Sequence, residues 1–178
     1  SGTQNCAFGY TALRSNIIGG RNNAFGAGAL ASNTTNNNNA FGNYALQNNT
    51  TGFRNSAFGH GALRNNTISS SNSAFGYQAL FTSTGRSNSA FGSLVLGSNT
   101  SGTQNCAFGY TALRSNIIGS RNNAFGAGAL ASNTTNNNNA FGNYALQNNT
   151  TGFRNSAFGH LALRANTISS SNSAFGYQ

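Results

Sequence analysis

The side chains best suited to chemistry in this 178-residue sequence are two Cys, two His and nine Arg, because Asp, Glu and Lys are all absent. General acid–base catalysis, most metal sites and most nucleophilic triads use carboxylates. Every mechanism that needs a carboxylate or a Lys is therefore excluded, and the chain is expected not to be an enzyme and to carry no cofactor. Cys6 and Cys106 stand at the same place in a repeated phrase, as do His60 and His160. If each phrase is one rung of a stack, the members of each pair lie six rungs, roughly 29 Å, apart. Neither pair can then join within one straight rod, since a disulfide needs Cα atoms within about 7 Å. The Cys position is expected to be a small buried one shared with Ser and Asn, or else a crosslink between chains. Tyr10, Tyr77 and Tyr110 share the His position, which points to exposed or half-buried side chains rather than metal ligands. The Ala-Phe-Gly segments lack the Lys and the strand-to-helix setting of a phosphate loop.

The positive charges need separate treatment. Arg14, Arg64, Arg114 and Arg164 follow a Leu, whereas Arg21, Arg54, Arg86, Arg121 and Arg154 fall in Gly-, Asn- and Ser-rich connections. A net charge of +9 and a pI near 10.9 favour anionic polymers as partners. Nine charges along such a chain are sparse, however, and no aromatic–basic motif accompanies them, so no specific nucleic acid is expected. Isolated charges on a β-rich rod keep edges apart and the protein dispersed. Attraction to acidic glycans is the secondary expectation. Asn-x-Ser/Thr sites at Asn33, Asn48, Asn49, Asn65, Asn99, Asn133, Asn148 and Asn149 could carry glycans in a secretory setting or be turn and ladder residues. No apolar run approaches the roughly 20 residues of a membrane span.

The elements that position these residues are set by repetition. Asn-x-Ala-Phe-Gly-x-x-Ala-Leu, or a close variant, recurs ten times, with an eleventh copy begun at Asn172. Successive Ala-Phe-Gly triplets are 16 or 17 residues apart, in blocks of 50, and residues 101–178 repeat residues 1–78 with three changes. Those changes are Gly20 to Ser120, Gly61 to Leu161 and Asn65 to Ala165. A short fixed period marks a solenoid or array. The apolar spacing does not sustain a helix, and Gly and Asn at this density disfavour one. Short strands between turns fit better.

One coil burying a Phe and a Leu gains roughly 1.5–3 kcal/mol for each, while ordering backbone costs about 1–2 kcal/mol per residue. A coil is therefore stable only on its neighbours. The expected fold is all-β, a parallel β-solenoid or β-roll of stacked 16–17-residue coils over residues 1–178, with a trimer as one possible assembly. Its core is expected from Phe8, Leu13, Phe25, Leu30, Phe41, Leu46, Phe58, Leu63, Phe75, Leu80, Phe91, Leu96, Phe108, Leu113, Phe125, Leu130, Phe141, Leu146, Phe158, Leu163 and Phe175. Its amide ladder is expected from Asn5, Asn22, Asn38, Asn55, Asn72, Asn88, Asn105, Asn122, Asn138, Asn155 and Asn172. The Gly after each Phe is expected at a bend that excludes a side chain or needs positive φ. Three arrangements satisfy the period: one repeat per turn, three chains around one axis, or three repeats forming one 50-residue rung.

The phrase Asn-Ser-Ala-Phe-Gly-x-x-Ala-Leu with the trailing Asn-Thr-Thr-Gly of residues 49–52 resembles the Asn-Thr-Ala-Ile-Gly-type repeats of phage and giant-virus tail-fibre-like proteins. It is similar, more loosely, to the Asn-Ser-Val-Ala-Ile-Gly motif in the head of trimeric autotransporter adhesins. It departs from them in having Phe for Ile, a longer coil than the autotransporter one and no acidic residue. The resemblance implies a surface-displayed β-roll, homotrimeric in the adhesins. Two functions are expected from these observations: a structural, non-catalytic fibre or shaft, or an adhesin binding glycans or anionic polymers. Variable residues after Gly (Tyr10, Ala27, Asn43, His60, Tyr77, Ser93) and the Arg positions would carry the second. The expected setting is extracellular, on a cell or virion surface, as a segment of a longer fibre. The expected partner is the chain itself, as a homotrimer or in end-to-end or lateral association.

Overall fold

Alternation decides what each coil can bury. In an extended segment successive side chains face opposite ways, so within Asn-x-Ala-Phe only Asn and Ala can share the inner face. The computed structural model describes residues 2–177 and places a three-residue strand at every copy of that phrase. These are β1 (Cys6–Phe8), β2 (Asn23–Phe25), β3 (Asn39–Phe41), β4 (Ser56–Phe58), β5 (Ser73–Phe75) and β6 (Ser89–Phe91). They continue as β7 (Cys106–Phe108), β8 (Asn123–Phe125), β9 (Asn139–Phe141), β10 (Ser156–Phe158) and β11 (Ser173–Phe175). All eleven pair in parallel, in chain order, in one sheet. Ala7 sits on Ala24 and Phe8 on Phe25, and the same register holds at every step. The fold is thus an all-β parallel β-solenoid with one repeat per coil. A rung built from three repeats is ruled out by this register, because strands one repeat apart are already direct neighbours. Ten steps give a rod about 48 Å long.

The Ala of each strand is fully buried from Ala24 to Ala157. The outward flanks are the residue before it and the Phe after it. The expectation that Phe fills a dry core is therefore corrected: Phe8 and Phe175 are 76% and 79% exposed. Phe25, Phe41, Phe58, Phe75, Phe91, Phe108, Phe125, Phe141 and Phe158 are half-buried. They owe that partial burial to one another, stacking with ring centroids 4.5–4.9 Å apart. The real core is narrow, made of the strand Ala, the second Ala of the repeat (Val95 once) and the Leu. From Leu30 to Leu146 every such Leu is fully buried, Leu13 is 9% exposed, and Leu163 packs on the core from a partly buried position.

Burying two consecutive residues, such as Ala29 and Leu30, is impossible on a regular extended backbone. The chain solves this with positive φ at every one of these Leu residues, from +48° to +52°. The residue two before it is also left-handed, as at Thr11, Tyr44 and Leu94. L-residues rarely adopt this conformation, which costs about 1–2 kcal/mol each. The stack compensates at each step. Leu30 N–H donates to Ala45 O at 3.0 Å, and the bond recurs from coil to coil outside the strands. The Gly after Phe lies at φ +125° to +143°. A Cβ on Gly92 would meet Gly109 O at 2.7 Å, so the bend both needs positive φ and excludes a side chain.

Candidate functional site

With carboxylates and Lys missing, the site must be assembled from amides, rings and guanidinium groups. Inside the coil the amides dominate. Asn22, Asn38, Asn55, Asn72, Asn88, Asn105, Asn122, Asn138 and Asn155 are essentially fully buried, while Asn5 is exposed and Asn172 half-buried in the terminal coils. Each Oδ1 accepts the backbone N–H of the corresponding Asn in the next coil. Asn38 N–H reaches Asn22 at 2.9 Å, Asn55 reaches Asn38 at 3.0 Å, and the series runs to Asn172 on Asn155 at 2.9 Å. From Asn5 to Asn155 each Nδ2 donates to a turn carbonyl, as Asn55 does to Ser69 O at 2.8 Å and Asn105 to Gly119 O at 2.8 Å. The rung-to-rung link is thus chiefly side chain to backbone rather than amide to amide.

A second ladder, three residues after each Leu, does run amide to amide. Asn49 Nδ2 donates to Asn33 Oδ1 at 2.8 Å, Asn66 to Asn49 at 2.7 Å and Asn116 to Asn99 at 2.9 Å. Ser83 interrupts it, its hydroxyl donating to Gly85 O at 3.2 Å. The sequence signal for this ladder was the constancy of Asn at that spacing. A third line is formed by Thr hydroxyls, as Thr34 Oγ1 on Thr50 O at 3.0 Å and Thr50 Oγ1 on Thr67 O at 2.9 Å. Among the described residues no buried side-chain N or O lacks a partner. Asn33, Asn49, Asn99, Asn133 and Asn149 are buried ladder members, which removes five of the eight glycan-acceptor candidates.

Outside, the rod presents the Phe stack and, beside it, the variable column after Gly. Tyr10, Tyr77 and Tyr110 are exposed. His60 stacks on Tyr77 at 5.6 Å and meets Tyr44 edge-on at 5.7 Å. His60 and His160 lie on β4 and β10 coils, six steps apart, and among the described residues no three His, Cys, Asp or Glu gather as a metal site. Cys6 and Cys106 occupy the outward strand position, exposed and half-exposed, and both are free thiols. The expectation of a buried small-residue position is corrected by the same alternation that turns Phe outward. Partial burial still pushes the Cys106 thiol above its ordinary pKa.

Four of the nine guanidinium groups are tethered by a neutral partner. Arg21 Nε donates to Gln4 Oε1 at 3.0 Å, Arg64 to Gln47 at 2.9 Å, Arg121 to Gln104 at 3.2 Å and Arg164 to Gln147 at 2.8 Å. Arg64 also lies 4.9 Å from the Tyr44 ring centre. These Arg–Gln pairs join adjacent coils and are not apparent from either residue's type alone. Among the described residues no helix is long and apolar enough to cross a membrane. No family model matches the chain, and neither the curated proteins nor the solved structures give a match.

Proposed function

We propose that this chain is the shaft of an extracellular fibre, whose work is length, stiffness and resistance to proteolysis on a cell or virion surface. The supporting observation is the unbroken register: every coil repeats the same parallel strand, and the buried Asn before it links each coil to the next. The absence of Asp, Glu and Lys from the sequence supports a non-catalytic role. The outward-facing, half-buried Phe stack supplies a surface for self-association, as a trimer or a lateral bundle, because it leaves an apolar stripe along the rod.

Mass per length of the isolated material, by scanning transmission electron microscopy, tests this. One 17-residue coil per 4.8 Å rise corresponds to about 3.6 kDa per nanometre for a single-chain rod. Three times that value is expected if rods associate as trimers. Rods or filaments at either value support the shaft, and globular particles overturn it.

A further inference from the structure

We infer that one corner of the rod is a linear binding site for an acidic polysaccharide carrying one charge on every second sugar. Arg21, Arg54, Arg121 and Arg154 each stand immediately before a ladder Asn, and Arg86 stands two places before one. They lead into β2, β4, β8, β10 and β6 respectively, so this corner carries one Arg on every even-numbered coil. The coils between place Asn37, Ser71, Gln104 and Asn137 there, all uncharged hydrogen-bonding residues. The residue directly before the ladder Asn has φ between +56° and +62° in every coil, so this corner has one backbone geometry throughout. Charges two rungs apart are about 9.5 Å apart along the rod.

The spacing is not inherited from the 50-residue period. Fifty residues after Arg21 and Arg54 stand Ser71 and Gln104. The other column, Arg14, Arg64, Arg114 and Arg164, does follow that period and falls on every third coil. A 100-residue unit holds six coils, an even number, so the alternation passes through the unit boundary without a break. Dispersing the rod requires charge but no such period.

The corner is also grooved. Surface clefts of about 380, 310 and 480 Å³ contain Arg21, then Arg121, then Arg54 with Arg86. The Gln4 and Gln104 amides hold Arg21 and Arg121 by Nε, so the two terminal nitrogens are the pair that meets a carboxylate or sulfate. Arg54 and Arg154 rest 5.6 Å from the ring centres of exposed Phe53 and Phe153, which offer apolar faces to the C–H side of a sugar. A sugar in an extended chain advances by about one rung, so alternating charged and neutral sugars match alternating Arg and amide coils. DNA suits the line poorly, because its phosphates recur about every 3.4 Å per strand and most would face no Arg.

Hyaluronan, with one carboxylate per disaccharide, is the probe, and titration calorimetry at about 50 mM salt is the measurement. Three variants, checked for unchanged circular dichroism, are compared with the unaltered chain. The first is R21Q/R54Q/R86Q/R121Q/R154Q, expected to weaken hyaluronan binding by at least about tenfold. The second is R14Q/R64Q/R114Q/R164Q, expected to change it by less than about threefold. The third, Arg54→Gln with Ser71→Arg, keeps the net charge but breaks the alternation, and is expected to weaken binding by about threefold or more. No binding of hyaluronan to the unaltered chain, equal weakening per Arg in the two columns, or tighter binding of a single-stranded DNA oligomer overturns the inference.

Discussion

Asn72 shows what a ladder position demands of its residue. Its Oδ1 accepts Asn88 N–H at 2.9 Å, while its Nδ2 donates to Ser69 Oγ and to Gly85 O, each at 3.0 Å. Only a group with both an acceptor and a donor satisfies this buried setting. Asp keeps the acceptor but turns the donor into a second oxygen facing oxygens, so the neighbouring acceptors repel a carboxylate. Asn72→Asp should cost about 3–5 kcal/mol near neutral pH, the range for an uncompensated buried charge. Burial raises the folded-state pKa of the new carboxyl above its unfolded value. Its protonated form is then the one the fold accepts, so the damage is smallest below the unfolded pKa and grows as pH rises through the folded one. Thermal melts of N72D should give a higher Tm near pH 3 than near pH 7, and a melt insensitive to pH would sink the assignment. The ladder residues were legible in the sequence because nothing else replaces Asn there. The Phe residues misled because size and constancy suggest a core, whereas the strand's period-two alternation places Ala inside and Phe outside.

At the scale of the coil, strand positions follow directly from the phrase but the turns do not. Left-handed backbone is ordinarily signalled by Gly or Asn; here it falls on Leu, and on Thr11 and Tyr44 as well. No local propensity announces that. It is imposed by a narrow core that buries two consecutive residues, Ala (Val95 once) and Leu, a constraint that exists only once coils are stacked. The Gly after Phe was legible because its role is steric. Gly92, at φ +133°, has Gly109 O 2.7 Å from where a Cβ would sit, whereas at Gly97 the nearest atom is Leu94 O, at 3.3 Å, and φ is not positive. Gly92→Ala should therefore lose about 3 kcal/mol or more, combining backbone strain with a clash against the next coil. Gly97→Ala should stay within about 1 kcal/mol of the parent. Denaturant unfolding of the two proteins measures the difference, and equal midpoints would mean that the coils are not stacked Gly on Gly.

The whole rod differs from an ordinary globular protein in what holds it and in what can undo it. Acid unfolds most proteins because carboxylates paired in the native state must take up protons. This chain has no Asp or Glu, and its buried polar groups are amides and hydroxyls whose hydrogen bonds are indifferent to acid. Between about pH 2 and pH 5, where side-chain carboxylates titrate, the protein has none to protonate. The nine guanidinium charges are constant over that range, so their mutual repulsion does not grow as pH falls. The melting temperature should accordingly be flat across this window, to within about 3 °C, at fixed ionic strength. Calorimetry at several pH values checks it. A Tm falling steadily toward pH 2 would mean that stability rests on a titrating group, which the amide ladders do not contain. Flatness would fit a shaft that keeps its length in whatever medium surrounds it, because each coil is held by contacts that pH does not touch.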